Sequence, residues 1–205
     1  MGIFKKKISV SVFCGANLGN KDIYSDVASE LGKILVKENM HLVYGAGGKG
    51  LMGKVAYAVL SFKRKIFGIT TEIIADFEEP IKGTRFKIVK NIQARKRGFI
   101  DNSDAFIVLP GGFGTFDELF EILVSKEVIG KHNKMLKEKN MPINPNNITT
   151  RPLVLVDPNG FFKPFEKLVD SIISNGFMPK ANKKYFKIVK TPKEAVNYIK
   201  KHIKK

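Results

Sequence analysis

Short apolar runs alternate with helical patterns along almost the whole chain, and this alternation limits the possible fold more than any other feature. Runs such as "FIVL" and "LVLV" are apolar at consecutive positions, which is typical of strands covered on both faces of a parallel sheet. Between such runs, stretches such as residues 22–38 carry apolar side chains at helical spacing. The alternation predicts an α/β fold: a single doubly wound Rossmann-like domain over 1–205, with a mostly parallel sheet flanked by helices.

The element pattern has one irregular stretch. Residues 131–151 are polar, contain two prolines and show no apolar period, so we predict a flexible loop insertion there, either a lid or a disordered segment. Thr191, Pro192 and Glu194 predict a capped start for the last helix. The predicted strands are 8–14, 41–47 with its turn, 66–70, 86–91, 104–110, 151–158 and 185–190; the predicted helices are 22–38, 51–62, 93–103, 116–130, 162–175 and 192–203.

Three glycine-rich turns each follow a predicted strand. They are "CGANLG" at 14–19, "YGAGGKGLMG" at 44–53 and "PGGFGT" at 110–115. Turns that follow the carboxyl ends of parallel strands line one edge of the sheet, where ligands bind in open α/β folds. Glycine lets the backbone approach a ligand closely, and helix N-termini offer free N–H groups to an anion. The three turns together therefore predict a ligand site at this edge.

The second turn contains Gly45-x-Gly47-x-x-Gly50, which formally matches a dinucleotide-binding fingerprint. That fingerprint belongs to the first strand–helix unit and needs an acidic residue at the end of the next strand, about 20 positions on. Here the turn follows the second predicted strand, and the next strand ends in two threonines, with Glu72 just beyond. NAD binding is therefore disfavoured, and no Gly-Lys-Ser/Thr is present to form a P-loop.

The third turn carries the most specific pattern. Gly111, Gly112 and Gly114 remove side chains between a buried strand and a helix start, and Thr115 is a suitable N-cap. The threonine hydroxyl could serve either the helix or a phosphate. Thr115-x-x-Glu118 also matches a capping box, so Glu118 has two interpretations: a helix cap, or a carboxylate that faces a ligand.

The helix after this turn is predicted to bury one apolar stripe and to carry a polar face near the ligand edge of the sheet. The expected buried stripe is Phe116, Leu119, Phe120, Leu123 and Val124, and the polar face holds Glu118, Glu121 and Ser125.

Upstream, "QARKRG" at 93–98 places Arg95, Lys96 and Arg97 on a helix. This helix either presents a solvated basic face, or turns one arginine inward to pair with Glu118 or a substrate phosphate.

The stretch "PGGFGTFDE" fits the pattern PGGxGTxxE, and with Arg95-Lys96 upstream it resembles the Lonely Guy family of cytokinin-activating phosphoribohydrolases, often labelled lysine decarboxylases. "VFCGANLG", "VYGAGGKGLMG", "DAFIVLPGGFGTFDELFE" and "NGFF" extend the resemblance over most of the chain. It implies hydrolysis of the N-glycosidic bond of a nucleoside 5′-monophosphate, AMP or an N6-modified AMP, to free base and ribose 5-phosphate. The chain departs from the family at Ile92-Gln93-Ala94, at Ala16-Asn17 and at Ala46.

The resemblance also implies roles for individual residues. Arg95 and Glu118 would be catalytic, and no metal or other cofactor would be needed. The family is homodimeric. A carboxylate suits the reaction because departure of the base builds positive charge on the ribose, and an arginine can keep that carboxylate ionised. The proton donor to the base stays unassigned. The expected substrate- and phosphate-binding residues are Gly111, Gly112, Phe113, Gly114, Thr115, Asp117, Lys96, Gly47, Gly15 and Ser125.

An alternative is a non-catalytic nucleotide-binding or molybdenum-cofactor carrier protein on the same fold, because such proteins share a PGGxGT turn. A carrier has no need of Arg95 paired with Glu118. A lysine decarboxylase would need a pyridoxal phosphate lysine, and the sequence indicates none.

The net charge of +17 would attract nucleic acid or an anionic membrane. Only five of the 36 Lys and Arg residues are arginines, the residue that phosphate and base readers favour. We therefore expect a lysine-rich solvated surface and no nucleic-acid partner, with a selected anion-attracting field as the alternative.

The cysteine and hydropathy patterns indicate a compartment. Cys14 is the only cysteine, so no internal disulfide can form, and we expect a packed thiol there rather than a nucleophile. No apolar run approaches the roughly 20 residues that span a bilayer. The N-terminal apolar run is better interpreted as a first strand than as a signal peptide. We expect a cytoplasmic protein without membrane association.

Overall fold

Strands and helices alternate in a computed structural model that describes residues 7–145 and 147–203. The predicted domain ends at residues 1 and 205 lie outside this range. The elements are β1 (Ser9–Phe13), α1 (Asp22–Lys37), β2 (His41–Tyr44), α2 (Gly50–Leu60), β3 (Phe67–Thr71), α3 (Glu72–Ala75), β4 (Arg85–Val89), α4 (Ile92–Asp101), β5 (Ala105–Val108), α5 (Phe113–Glu138), β6 (Leu153–Val156), α6 (Lys163–Ser174), β7 (Lys187–Val189) and α7 (Pro192–His202).

Within the described residues, the strands form one sheet with the order β4-β3-β2-β1-β5-β6-β7, and every neighbouring pair is parallel. The predicted α/β class with a doubly wound sheet is confirmed. The chain runs outward from β1 to β4 and then returns to β5 on the other side of β1. The turns after β1 and β5 therefore lead in opposite directions, which opens a crevice between them at the carboxyl edge.

Helices cover both faces of the sheet. The helices α1, α2 and α7 supply one apolar cluster, with Leu31, Val55 and Ile199 fully or almost fully buried. The helices α4, α5 and α6 supply the other, which includes Phe99 and Leu119. Because strands such as β5 and β6 are buried on both faces, their side chains are apolar at every position.

The loop predicted at 131–151 is wrong for its first part, because α5 continues to Glu138. Ion pairs four residues apart, Lys131–Glu127 at 2.7 Å and Lys134–Glu138 at 3.9 Å, support this polar end of the helix without any apolar period. The helix ends where Asn140 takes a φ of +54°, a left-handed conformation that asparagine tolerates.

The segment before β6 is held against the same helix. Residues Ile148–Thr150 form a short 3-10 turn. The buried Lys126 of α5 donates hydrogen bonds from Nζ to the carbonyl oxygens of Ile148 (2.8 Å) and Arg151 (2.5 Å). Within the described residues, no helix has the length and apolar character that a membrane crossing requires.

Candidate active site

A cavity of about 470 Å³ opens at the carboxyl edge of the sheet. Its walls come from the end of β1, the turns after β1, β2 and β5, the starts of α2 and α5, and the segment after β3. Phe161, after β6, and one side chain from each of α1 and α4 complete the lining. The glycine-rich turns therefore meet at the crevice between β1 and β5. This is the sheet edge at which the sequence analysis predicted a ligand site.

The turns after β1 and β5 are packed backbone against backbone. The Gly15 N–H donates to the carbonyl oxygen of Pro110 at 3.0 Å. A Cβ added at Gly111 would lie 2.1 Å from Thr115 Oγ1 and 2.7 Å from the Gly15 nitrogen. Only glycine fits at position 111, because any side chain would force these two turns apart.

Gly112 and Gly114 are glycines for a different reason. A Cβ at either position would meet no atom within 4 Å. Both residues line the cavity, so their missing side chains leave space for a ligand rather than for another part of the chain.

The predicted N-cap at Thr115 is wrong. The helix begins at Phe113, two residues before Thr115, with Gly112 as the N-cap residue and no side-chain cap. The glycines permit this earlier start, so Thr115 lies within the first turn, buried and lining the cavity. Among the described residues, its hydroxyl has no hydrogen-bond partner. The backbone N–H groups of this first turn also have no intrahelical acceptor. The Thr115 hydroxyl and these N–H groups are therefore donors available to an anion at the edge of the cavity.

The capping-box interpretation of Glu118 is wrong for the same reason. Its Oε1 instead accepts a hydrogen bond from Arg95 Nη1 at 2.9 Å, and the side chains are 13% (Arg95) and 11% (Glu118) exposed. Nε of the arginine donates to the carbonyl oxygen of Ile69 at 3.0 Å, and its guanidinium carbon lies 4.9 Å from the centre of the Phe99 ring. Of the three basic side chains in "QARKRG", Arg95 is therefore the one that turns inward.

Burial raises the pKa of Glu118 to about 7, although the nearby Arg95 opposes the shift by charge and by hydrogen bonding. The carboxyl group therefore changes charge near neutral pH. A group that can both accept and hold a proton at this pH is suited to acid–base chemistry.

The structure separates five predicted site residues from the cavity wall. Lys96 Nζ pairs with Asp117 at 2.8 Å and with Glu121 at 2.9 Å, and the hydrogen bond that Lys96 donates to Asp117 raises the pKa of Lys96. This ion-pair cluster ties α4 to α5 outside the cavity. Phe113 points to solvent with 96% exposure, and Ser125 is half-buried farther along α5.

Gly47 is the fifth of these residues, and it packs behind the wall rather than lining it. A Cβ there would lie 2.3 Å from Glu78 Oε1. Its neighbour Ala46 adopts a φ of +74°, in the region that favours glycine. Gly50, with a φ of +56°, lies so close to the Ala16 backbone that a Cβ would be 2.2 Å from its carbonyl carbon. Gly50 thus serves the packing of the second turn against the first, whereas Gly47 makes room for the side chain of Glu78.

Sequence reasoning missed the wall that follows β3. Ile74, Phe77 and Glu78 line the cavity there. The available signal was their position just after the carboxyl end of a parallel strand, the same signal that identified the glycine-rich turns. Tyr24 and Phe161 complete another part of the wall, with their rings 6.3 Å apart edge to face.

Cys14 also lines the cavity and is a free thiol. Burial, with smaller effects from Glu118 and Glu78, raises its pKa, so the thiol stays protonated and is a poor nucleophile. Across residues 7–145 and 147–203, no group of three or more His, Cys, Asp or Glu side chains is placed to hold a metal ion.

Comparison with known proteins finds relatives that align with most of this chain. Residues 52–199 match the family described as "Possible lysine decarboxylase". The probable cytokinin riboside 5′-monophosphate phosphoribohydrolase LOGL2 of Oryza sativa subsp. japonica is 34% identical over 196 residues, which cover 94% of this chain and 72% of that protein. The cytokinin riboside 5′-monophosphate phosphoribohydrolase LOG1 of Arabidopsis thaliana is 32% identical over 211 residues, which cover 100% of this chain and 90% of that one.

Among solved structures, the molybdenum cofactor binding protein from the phototrophic bacterium Rippkaea orientalis superposes with a TM-score of 0.64 at 17% identity, over 98% of this chain and 99% of that one. The Moco carrier protein from Chlamydomonas reinhardtii gives 0.63 at 15% identity, over 96% and 97%. At such low identity, the likeness shows a shared fold and nothing of the function.

Proposed function

Because the chain belongs to the Lonely Guy family of phosphoribohydrolases and is an N-glycosidic nucleotide hydrolase, we propose that its substrate is AMP or an N6-modified AMP. The products would be the free base and ribose 5-phosphate. The observation that supports the proposal is the buried Arg95–Glu118 pair beside the start of α5, because a carboxylate suited to acid–base chemistry and a helix start suited to an anion lie in one cavity.

The phosphate is proposed to bind at the first turn of α5. Unpaired backbone N–H groups and the Thr115 hydroxyl are available there, and the space above Gly112 and Gly114 is open. The positive end of the helix dipole favours a dianion at this point. One turn farther along α5, Glu118 would then lie beside the ribose.

Glu118 is proposed to act on the water that attacks C1′ of the ribose. Its carboxylate would stabilise the positive charge that develops as the base departs and would accept the proton of the water. Arg95 would hold this carboxylate in place through the 2.9 Å hydrogen bond and favour its ionised form. Neither role requires a metal or an organic cofactor.

No lysine of the described chain lines the cavity, so the wall offers no amine that could form a Schiff base with pyridoxal phosphate. This observation supports nucleotide hydrolysis over the decarboxylase description of the matched family.

A homodimer is also part of the proposal. The predicted buried stripe on α5 is wrong in part: Leu119 is buried as predicted, but Phe120 is 37% exposed and Val124 is 57% exposed. Outside the predicted stripe, Ile122 is buried and Val128 is 57% exposed. Side chains four residues apart form a ridge, so Phe120, Val124 and Val128 give α5 a second, partly exposed apolar face. Light scattering during gel filtration tests the dimer, and Val124→Glu with Val128→Glu should give monomers.

A cytoplasmic location completes the proposal, supported by the single free Cys14 and tested by cell fractionation.

The enzyme proposal is tested by incubating the protein with a panel of nucleoside 5′-monophosphates and separating the products by chromatography. We expect adenine, or the N6-modified adenine, to appear with an equal amount of ribose 5-phosphate. Tight nucleotide binding with no release of base would instead favour a carrier protein.

A further inference from the structure

The cavity holds a second carboxylate, Glu78, which no part of the proposed mechanism uses. Its Oε1 is buried and has no hydrogen-bond partner among the described residues. It is held against Gly47, where an added Cβ would come within 2.3 Å of this oxygen. An ionised carboxylate oxygen that is buried without a donor is unfavourable, whereas a carboxyl group that carries a proton can itself donate to a ligand.

The groups that face Glu78 come from several elements. Arg95 of α4 and Lys49, just before α2, favour its ionised form, but burial outweighs both and raises the pKa of Glu78. Glu78 in turn contributes to raising the pKa of Cys14, at the end of β1, and of Tyr44 in β2. The burial of Glu78 therefore lets it hold its proton to a higher pH than an exposed glutamate would, against the effect of the two cations.

Hydrolysis of a nucleotide needs two proton transfers. Water must lose a proton as it attacks C1′, and the base departs more easily if a ring nitrogen gains one. Glu118 cannot perform both transfers in the same step if it acts as the base. Two carboxyl groups whose surroundings differ divide such work in other glycoside hydrolases.

The position of Glu78 within the cavity favours it as the group that gives a proton to the leaving base. With the phosphate at the start of α5 and the ribose at Glu118, the apolar side chains of Ile74 and Phe77 remain as a wall beside Glu78. The aromatic wall at Tyr24 and Phe161 offers no carboxyl group.

We propose that Glu78 is a further catalytic residue that donates a proton to a ring nitrogen of the leaving base; this role rests on the proposed function. The C1′–N bond breaks and its electron pair stays with the base, which takes the Glu78 proton. The C1′–O bond forms with water, whose proton passes to Glu118. One proton then returns from Glu118 to Glu78 through solvent, so the cycle closes with no oxidant or other reactant.

The test compares two leaving groups. AMP needs protonation of its base, whereas 7-methylguanosine 5′-monophosphate already carries a positive charge on the ring and departs without it. We expect Glu78→Gln to lower kcat on AMP by about 100-fold or more, but on the methylated nucleotide by less than about 10-fold. Glu118→Gln should lower kcat on both nucleotides.

Two further variants control for structure. Glu79→Gln changes the neighbouring glutamate, which is 75% exposed, and should leave both rates unchanged. Gly47→Ala pushes a methyl group against the Glu78 carboxyl and should reproduce the substrate-dependent loss if Glu78→Gln fails to fold.

A pH profile gives a second readout. For wild type on AMP, kcat/KM should fall at high pH as Glu78 loses its proton, and this fall should be absent in Glu78→Gln. Equal losses on both nucleotides, or no loss, would refute the role of Glu78 while leaving the hydrolase intact. A wild-type protein that cleaves neither nucleotide would refute the proposed function itself, and the role with it.

Discussion

Replacing Glu118 by glutamine should remove activity and, at pH 8, make the protein more stable. Glutamine has the same shape, and its side-chain oxygen can still accept the hydrogen bond from Arg95. What the substitution removes is the negative charge that the wild-type protein must hold in a buried place at this pH.

The size of the effect follows from the pKa shift. Burial moves the pKa of Glu118 from 4.5 to about 7, a rise of about 2.5, and each unit corresponds to about 1.4 kcal/mol. Because the folded-state pKa is the higher one, the stabilising effect is complete below pH 4.5 and is lost as the pH rises to about 7. Wild type should therefore lose about 3 kcal/mol across this interval through Glu118, and the variant should not.

The assay is urea denaturation of wild type and Glu118→Gln at intervals between pH 4.5 and pH 8.5. All other titrating groups are shared, so they cancel in the difference between the two free energies of unfolding. We expect this difference to change by up to about 3 kcal/mol in favour of the variant and to level off above pH 7. A variant that becomes relatively less stable as the pH rises would show that Arg95 dominates burial, which refutes the reasoning.

The same structure gives three further predictions. Arg95→Ala should lower kcat/KM for AMP by about 100-fold or more. It should also raise the pKa of the rising limb of the pH profile, because Glu118 loses the cation that favours its ionised form. The control is Arg97→Ala: the Arg97 side chain pairs with Asp101 on the surface, so this variant should change neither kcat/KM nor that pKa. Gly112→Ala should keep the melting temperature but raise KM, because its methyl group enters only the cavity, whereas Gly111→Ala should lower the melting temperature as well. A fluorescent single-stranded DNA should show no binding at about 150 mM salt, and retained affinity there would indicate a selected basic surface.

The sheet could be predicted from sequence because each strand obeys a local rule. Apolar runs identified the buried strands, such as β5 and β6, and the alternation with helices indicated parallel pairing. The helix end near Glu138 could not be predicted by the same rule, because α5 leaves the core there and is supported by ion pairs rather than by an apolar period.

Capping shows where local patterns stop being sufficient. At Thr191 the predicted cap forms: its hydroxyl accepts from the Glu194 N–H at 3.2 Å, and Pro192 occupies the first helical position. The same spacing at Thr115 and Glu118 gives no cap, since the preceding glycines let the helix start earlier. A four-residue sequence pattern contains no information about the tertiary contacts that decide where the helix starts.

The candidate site divides in a similar way. Arg95, Glu118 and the glycines of the third turn follow from sequence motifs, because motif spacing and turn position are readable along the chain. Glu78 could not be assigned, since its importance depends on a buried, unpartnered oxygen that only the folded arrangement creates. Lys96 has the charge of a phosphate ligand, but two carboxylates already neutralise it.

The cavity is proposed to hydrolyse a nucleotide at its N-glycosidic bond. The most direct measurement is the release of adenine and ribose 5-phosphate from AMP by the purified protein, with Glu118→Gln measured in parallel. We predict equal amounts of the two products from wild type and a loss of about 100-fold or more in the variant. Tight binding of AMP with no adenine released, or undiminished release by the variant, would contradict the account.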